Sequence, residues 1–133
     1  VDEVEFLLSA NPGEPLKPMA SIASGGEMSR IMLAIKTVFQ DQNPVATLVF
    51  DEIDTGISGE TAQKVSNHLK KLSNHKQIIC ITHLPQIAKK ADRHLHITKS
   101  VKDSHTTVNA EYLDGDFSRE VINNLFIGDE VIA

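Results

Sequence analysis

One cysteine among 133 residues excludes an intrachain disulfide. Cys80 lies inside the apolar run Ile78-Ile79-Cys80-Ile81, the setting of a buried, inert thiol rather than of a nucleophile or metal ligand, and compatible with a reducing compartment. No stretch approaches the roughly 18 consecutive apolar residues of a membrane span. The start, Val1-Asp2-Glu3-Val4-Glu5, is acidic where a signal peptide is basic, so a cytoplasmic location with no membrane partner is expected. An initiator methionine is also lacking and the chain opens into a strand-like pattern, from which an excised piece of a longer protein is expected. Positive charge is scarce: a formal net charge of -5 argues against a broad nucleic-acid or membrane surface. Lys36, Lys64, Lys70, Lys71, Lys89 and Lys90 remain as local patches. Internal repeats and low-complexity tracts are absent. The 41% hydrophobic content is that of an ordinary globular chain, read as a single domain over residues 1–133.

Periodicity divides this domain into alternating elements. Val4, Phe6 and Leu8 predict a strand with one face buried, and the prolines and glycine of 11–18 predict an irregular loop. Ser24 with Glu27 three residues later has capping-box spacing, and Met28, Ile31, Met32, Ile35, Val38 and Phe39 predict a helix from Gly26 to Gln40. After Asn43-Pro44 comes the apolar strand Thr47 to Phe50, then a loop in which Ser58 is placed to cap a helix with the stripe Ala62, Val65, Leu69, Leu72. A strand over Gln77 to Thr82 ends at His83-Leu84-Pro85, and a short helix follows over Gln86 to Lys90. Two alternating runs, from His94 to Thr98 and around Val108 to Tyr112, predict a hairpin turning at Lys102-Asp103-Ser104. A last helix is expected from Ser118, apolar at Val121, Ile122, Leu125 and Phe126, with Gly128 as its stop. The order of elements predicts an α/β layered fold of the nucleotide-binding type with parallel strands.

Three places carry chemistry. The strand ending at Phe50 runs into two adjacent carboxylates, Asp51 and Glu52. Neighbouring side chains at a strand end point to opposite sides, so one acid can hold a metal while the other activates water. A strand that merely ends in a polar turn is an equal reading of these residues alone. Ser24-Gly25-Gly26 at a helix start offers backbone N–H groups and partial positive charge to a phosphate, although glycines there also serve as plain turn residues. His83 ends the next apolar strand.

These motifs, in this order, resemble those of the ATP-binding-cassette ATPase heads, and within them the chromosome-maintenance and DNA-repair branch. Ala23-Ser24-Gly25-Gly26-Glu27 is similar to the signature motif, Leu48 to Glu52 to the Walker B strand, and Ile81-Thr82-His83 to the switch-histidine strand. The intervening wording also fits that branch: Met28-Ser29-Arg30-Ile31-Met32-Leu33-Ala34, Ile53-Asp54-Thr55-Gly56-Ile57-Ser58-Gly59 and Leu84-Pro85-Gln86-Ile87-Ala88. So does Asn11-Pro12-Gly13-Glu14-Pro15-Leu16, and the resemblance covers nearly the whole chain.

The resemblance implies ATP and Mg²⁺ as cofactors and DNA double-strand-break repair and recombination as the setting, in a bacterial, nucleoid-associated protein. Asp51 is the implied Mg²⁺ ligand, Glu52 the general base, and His83 the histidine that positions the attacking water. Ser24, Gly25, Gly26 and Glu27 are the implied nucleotide-binding residues, reaching ATP held on the opposite head of a homodimer. The loop from Asp54 to Ser58 would cross that interface, where the wider superfamily usually has aspartate at the position of Ser58. No G-x-x-x-x-G-K-[ST] occurs anywhere in the chain. The phosphate loop is therefore expected on an amino-terminal lobe, and this chain to be the carboxyl-terminal lobe, inactive alone and with an apolar edge open to self-association. Two rivals stand beside this reading: a head of another chromosome-maintenance or transporter ATPase, and a non-catalytic module completing a partner's site. Arg30 is left with two roles, a local acid pairing or an approach to nucleotide or partner head. His94 and His96 alternate as a metal pair would, but no third ligand lies near them in sequence.

Overall fold

A computed structural model describes residues 3–9, 12–21, 24–41, 44–102 and 105–127. The expected helix stop at Gly128, the turn residues Asp103 and Ser104, and Ala23 of the signature stretch lie outside the described residues. The fold is α/β. Strands β1 (Leu7–Leu8) and β2 (Lys17–Pro18) form a short antiparallel pair, followed by helix α1 (Gly25–Val38). Strand β3 (Thr47–Phe50), helix α2 (Gly59–Leu72) and strand β4 (Gln77–Cys80) make a β-α-β unit. Its strands are parallel in the register Thr47↔Gln77 to Phe50↔Cys80. Helix α3 (Pro85–Ala88) leads to the antiparallel hairpin β5 (His94–Lys102) and β6 (His105–Leu113), and α4 (Gly115–Ile127) closes the described chain.

The core sits under the β-α-β unit, where Leu33, Phe50, Ile53, Val65, Leu69, Leu72 and Ile87 form one buried cluster. Helix α2 joins it through the stripe read from sequence, with Ala62, Val65, Leu69 and Leu72 all buried. Burying a leucine or isoleucine side chain contributes about 1.5–3 kcal/mol, so this cluster outweighs any single polar contact in holding the unit together.

Four expectations are corrected. Val4 and Phe6 are exposed, and Lys17–Pro18, read as loop, is the strand that pairs with Leu7–Leu8, so the first strand is two residues long and lacks a buried face. Proline is tolerated there because the pair stands alone, with two edges. In α1 the inward residues are Gly26 and Leu33, whereas Met28, Ile31, Met32 and Ile35 are half-buried and Val38 and Phe39 exposed. Met28 and Met32 instead line, with Leu48, Val49 and Phe50, an open cavity of about 250 Å³ between α1 and β3. Ser58 occupies the N-cap position of α2 without a side-chain cap bond. The last helix begins at Gly115, three residues before Ser118, and buries Ser118 and Ile122.

His94 acts as a joint rather than a metal ligand. Its Nε2 donates to the Ala88 carbonyl at 2.8 Å, which leaves Nδ1 to accept the Ser118 hydroxyl at 2.6 Å and ties the hairpin to α3 and α4. His96 lies 4.0 Å from Glu111, and among the described residues no three His, Cys, Asp or Glu side chains gather as a metal site. No described helix is long and apolar enough to cross a membrane.

Burial pushes the Cys80 thiol up to about 12, with the charges of Asp54 and then Asp51 adding to the effect. The unfolded thiol ionises near 9.0. Because the folded value is the higher one, this contribution to stability is complete below about pH 9 and is lost as pH rises toward about 12. Iodoacetamide at about pH 8 is expected to label Cys80 in the folded chain at least about tenfold more slowly than in urea. Equal rates would contradict the burial of the thiol.

Candidate active site

The parallel pairing of β3 and β4 brings the carboxyl ends of both strands to one edge, and the sequence-predicted site residues collect there. Backbone pairing continues one step beyond β4, since Ile81 N donates to Phe50 O at 3.0 Å. Asp51 and Glu52 follow Phe50 directly and are exposed, as is His83 beyond β4. Ser24 is the N-cap of α1 and its hydroxyl accepts the Glu27 N–H at 3.3 Å, which is the serine half of the expected capping box. Ser24, Gly25 and Glu27 are exposed, whereas Gly26 is buried.

Glycine at the start of α1 is fitted to what lies against it, a movable side chain at Gly25 and backbone at Gly26. A Cβ at Gly25 would overlap Oε2 of Glu52, which places the second acid of the pair directly on the helix start. A Cβ at Gly26 would come within 2.8 Å of the Glu52 carbonyl oxygen and 2.9 Å of that of Thr55. These backbone atoms have little room to yield. Glu52 itself has φ 58, a left-handed conformation that costs a non-glycine residue on the order of 1–3 kcal/mol and that clusters at functional sites.

The loop after the acid pair is clamped from both sides. Ser29 of α1 donates its hydroxyl to the Asp51 carbonyl at 2.7 Å. Arg30 donates through one guanidinium nitrogen to the Ile53 carbonyl at 3.1 Å and to the Thr55 carbonyl at 2.8 Å. Arg30 thus does not take the local acid pairing, since its partners are backbone carbonyls. On the other side the buried Asp54 carboxylate accepts from Thr82 Oγ1 at 2.6 Å and from His83 N at 2.9 Å, with His83 Nδ1 at 3.1 Å.

Ser29 and Asp54 were missed as site residues by sequence reading, and their contacts explain why. Each reaches a partner more than 20 residues away, which no local pattern announces. Among the described residues no hydrogen bond joins His83 directly to Asp51 or Glu52, and the connection runs through Asp54.

The donor set at the strand end suits a hard cation held mainly by phosphates and water. Asp51 is an exposed carboxylate whose Oδ1 takes the Glu52 N–H at 2.9 Å, and no all-protein cage surrounds it among the described residues. Such a carboxylate could serve as one ligand of Mg²⁺, which binds through one or two carboxylates plus substrate phosphates.

The packing at the two glycines predicts different costs. Gly26→Ala, which meets backbone, is expected to destabilise the chain by about 1–3 kcal/mol in urea denaturation. Gly25→Ala, which meets only the movable end of Glu52, is expected to cost less than about 1 kcal/mol. Equal costs would contradict the close approach of Gly26 to the loop.

The family described as the RecF/RecN/SMC N terminal domain matches residues 19–106. The DNA repair protein RecN of Treponema pallidum is 52% identical over 128 residues, covering 96% of this chain and 22% of that protein. RecN of Bacillus subtilis is 47% identical over 131 residues, covering 98% and 23%. The chain therefore spans under a quarter of the length of these two relatives. In structure it is similar to an Smc head domain with a coiled coil and joint from Pyrococcus yayanosii, with a TM-score of 0.61 at 23% identity over 89% of this chain and 25% of that one. An SmcHead bound to the C-winged helix domain of ScpA aligns with a TM-score of 0.53 at 27% identity over 75% and 30%. The chain belongs to the RecF/RecN/SMC family and is similar to RecN proteins.

Proposed function

We propose that this chain is the carboxyl-terminal lobe of a RecN-like ATPase head that acts in DNA double-strand-break repair and recombination. The observation that carries the reading is the convergence of three motifs on one loop. The helix start at Ser24–Gly26 touches Glu52, Arg30 of the same helix holds Ile53 and Thr55, and Asp54 of the same loop holds His83. A polar turn with no further role does not need a glycine-sheathed, left-handed glutamate beside a clamped histidine.

ATP with Mg²⁺ supplies the phosphoryl group and the charge neutralisation of phosphoryl transfer when bound. Asp51 would hold the cation through an oxygen at the strand end. Glu52 would accept a proton from the attacking water, and its exposed position gives water access. His83, exposed and held through its backbone N–H by Asp54, would orient that water from the end of the neighbouring strand. Ser24, Gly25, Gly26 and Glu27 would contact nucleotide held on a second head, using the N–H groups and partial positive charge of the start of α1.

The lobe that carries the phosphate loop and a second head are the partners this arrangement requires, with DNA engaged by the longer protein. Val49, Ile79 and Ile81 leave apolar surface exposed on the parallel pair, in keeping with a face meant to be covered. The relatives' names favour this over a transporter head, and the intact acid pair favours it over a non-catalytic module.

Two outcomes test the proposal. The 133-residue chain alone is expected to show no magnesium-dependent ATP turnover in a phosphate-release assay, and measurable turnover would contradict its standing as half a site. Joined to a lobe bearing the phosphate loop, it is expected to turn over ATP, and Glu52→Gln is expected to lower kcat by about 10²–10⁴-fold. Turnover unchanged by that substitution would remove Glu52 from the chemistry.

A further inference from the structure

Away from the strand edge, an open cleft of about 660 Å³ lies where the segment after α3, the outer ends of β5 and β6, and the start of α4 meet. Its charged lining is Lys89, Asp92, Arg93, Asp114 and Arg119, with Tyr112 beside them. The charges are unevenly matched. Asp92 is engaged by Lys70 from the last turn of α2, and Arg119 is paired with Asp116 at 3.2 Å. Asp114 is then the one lining acid left to set against Lys89 and Arg93, and among the described residues neither cation has an acid partner. Both are exposed, as is Lys90 next to Lys89.

Arg93 is oriented without being neutralised. Its guanidinium carbon lies 4.4 Å from the centroid of the Tyr112 ring. A contact of this kind holds a guanidinium in place and leaves its charge available to an anion. The surrounding elements are joined as well, since the two ring nitrogens of His94 meet the Ala88 carbonyl and the Ser118 hydroxyl. In a chain of formal net charge -5, such a local excess of cations marks where a polyanion can settle, because the remaining surface repels it.

We propose that this cleft is a DNA contact that takes the phosphodiester backbone on Lys89 and Arg93, with Lys90 adding to the field. Arginine and lysine on phosphate position a strand without reading its bases, so the contact is independent of sequence. The inference deepens the reading of the longer protein as one that engages DNA, by placing one such engagement on this lobe. It needs no nucleotide and is measured apart from ATP turnover.

The test is fluorescence anisotropy of the 133-residue chain with a labelled single strand and with the corresponding duplex, at salt from about 50 to 200 mM. The variants are the double substitution Lys89→Gln with Arg93→Gln, and Lys99→Gln on β5 as a control away from the cleft. The parent is expected to bind in at least one arm, and that arm identifies whether single-stranded or duplex DNA supplies the backbone. The double variant is expected to raise Kd at least about fivefold at the lowest salt. It is also expected to flatten the slope of log affinity against log salt by about 1.4 for single strands or about 1.8 for duplex, the release from two phosphates. Lys99→Gln is expected to stay within about twofold of the parent. All three side chains are exposed, and unchanged circular dichroism verifies that the variants fold.

Binding that survives the double variant would overturn the cleft while leaving DNA engagement by the chain intact. An equal loss in Lys99→Gln would overturn it too, because the attraction would then belong to the whole surface. No binding by the parent in either arm would overturn it and leave the turnover test of the proposed function where it stands.

Discussion

The loop from Asp51 to Ser58 has no ladder of its own, and its shape is imposed by side chains from elsewhere. Arg30 reaches across from α1 to the Ile53 and Thr55 carbonyls, and Thr82 and His83 reach from the end of β4 to Asp54. Magnitudes show why these bonds matter. A left-handed glutamate costs on the order of 1–3 kcal/mol. A hydrogen bond from a charged donor contributes about 1.5–3 kcal/mol, and Arg30 makes two of them. The clamp can therefore hold Glu52 at φ 58 where an unassisted turn would relax. The acid pair, the helix start and the histidine all take their positions from this loop.

Beneath it, the β-α-β unit sets the scale of the site. Parallel pairing puts two strand ends at one edge, and α2 covers one face through the stripe ending in the fully buried Leu72. The other face carries the exposed Val49 and Ile79. Helix α1 is similarly one-sided, with Gly26 and Leu33 packed inward and an open cavity between its methionines and β3. Both surfaces are covered on one side only, and the alignments that span nearly all of this chain span 22–23% of two of its relatives.

How much of this was legible in the sequence follows from the range of the interaction involved. The stripe of α2 was readable because local periodicity reports burial when a covering element is present, whereas the long hairpin was readable from its alternation although Leu95, Ile97, Val108 and Tyr112 are exposed. The same logic failed for Val4, Phe6, Val38 and Phe39, which are apolar at regular spacing yet exposed, because periodicity names a face and not what covers it. Ser58 sat at the right place for a cap but is extended and makes no cap bond through its hydroxyl. Ser29 and Asp54 were silent because their partners are distant in sequence. His94 was ambiguous until its two ring nitrogens were seen to be engaged by Ala88 and Ser118. The residues of the candidate site were thus visible as motifs, while the bonds that make them a site were not.

The account divides one catalytic event between two copies of the loop, with Glu52 and His83 acting on nucleotide in their own head and the Ser24–Gly26 helix start acting on nucleotide in the other. Complementation between mixed heads measures this most directly. One two-lobed head carries Glu52→Gln and the other Ser24→Arg, each inactive by itself. In a mixed dimer one of the two sites regains an intact glutamate and an intact helix start, so the account predicts that ATP turnover reappears on mixing and rises with the fraction of mixed dimer. If dimers form but no turnover returns, the two motifs serve nucleotide within a single head and the division proposed between the copies is wrong.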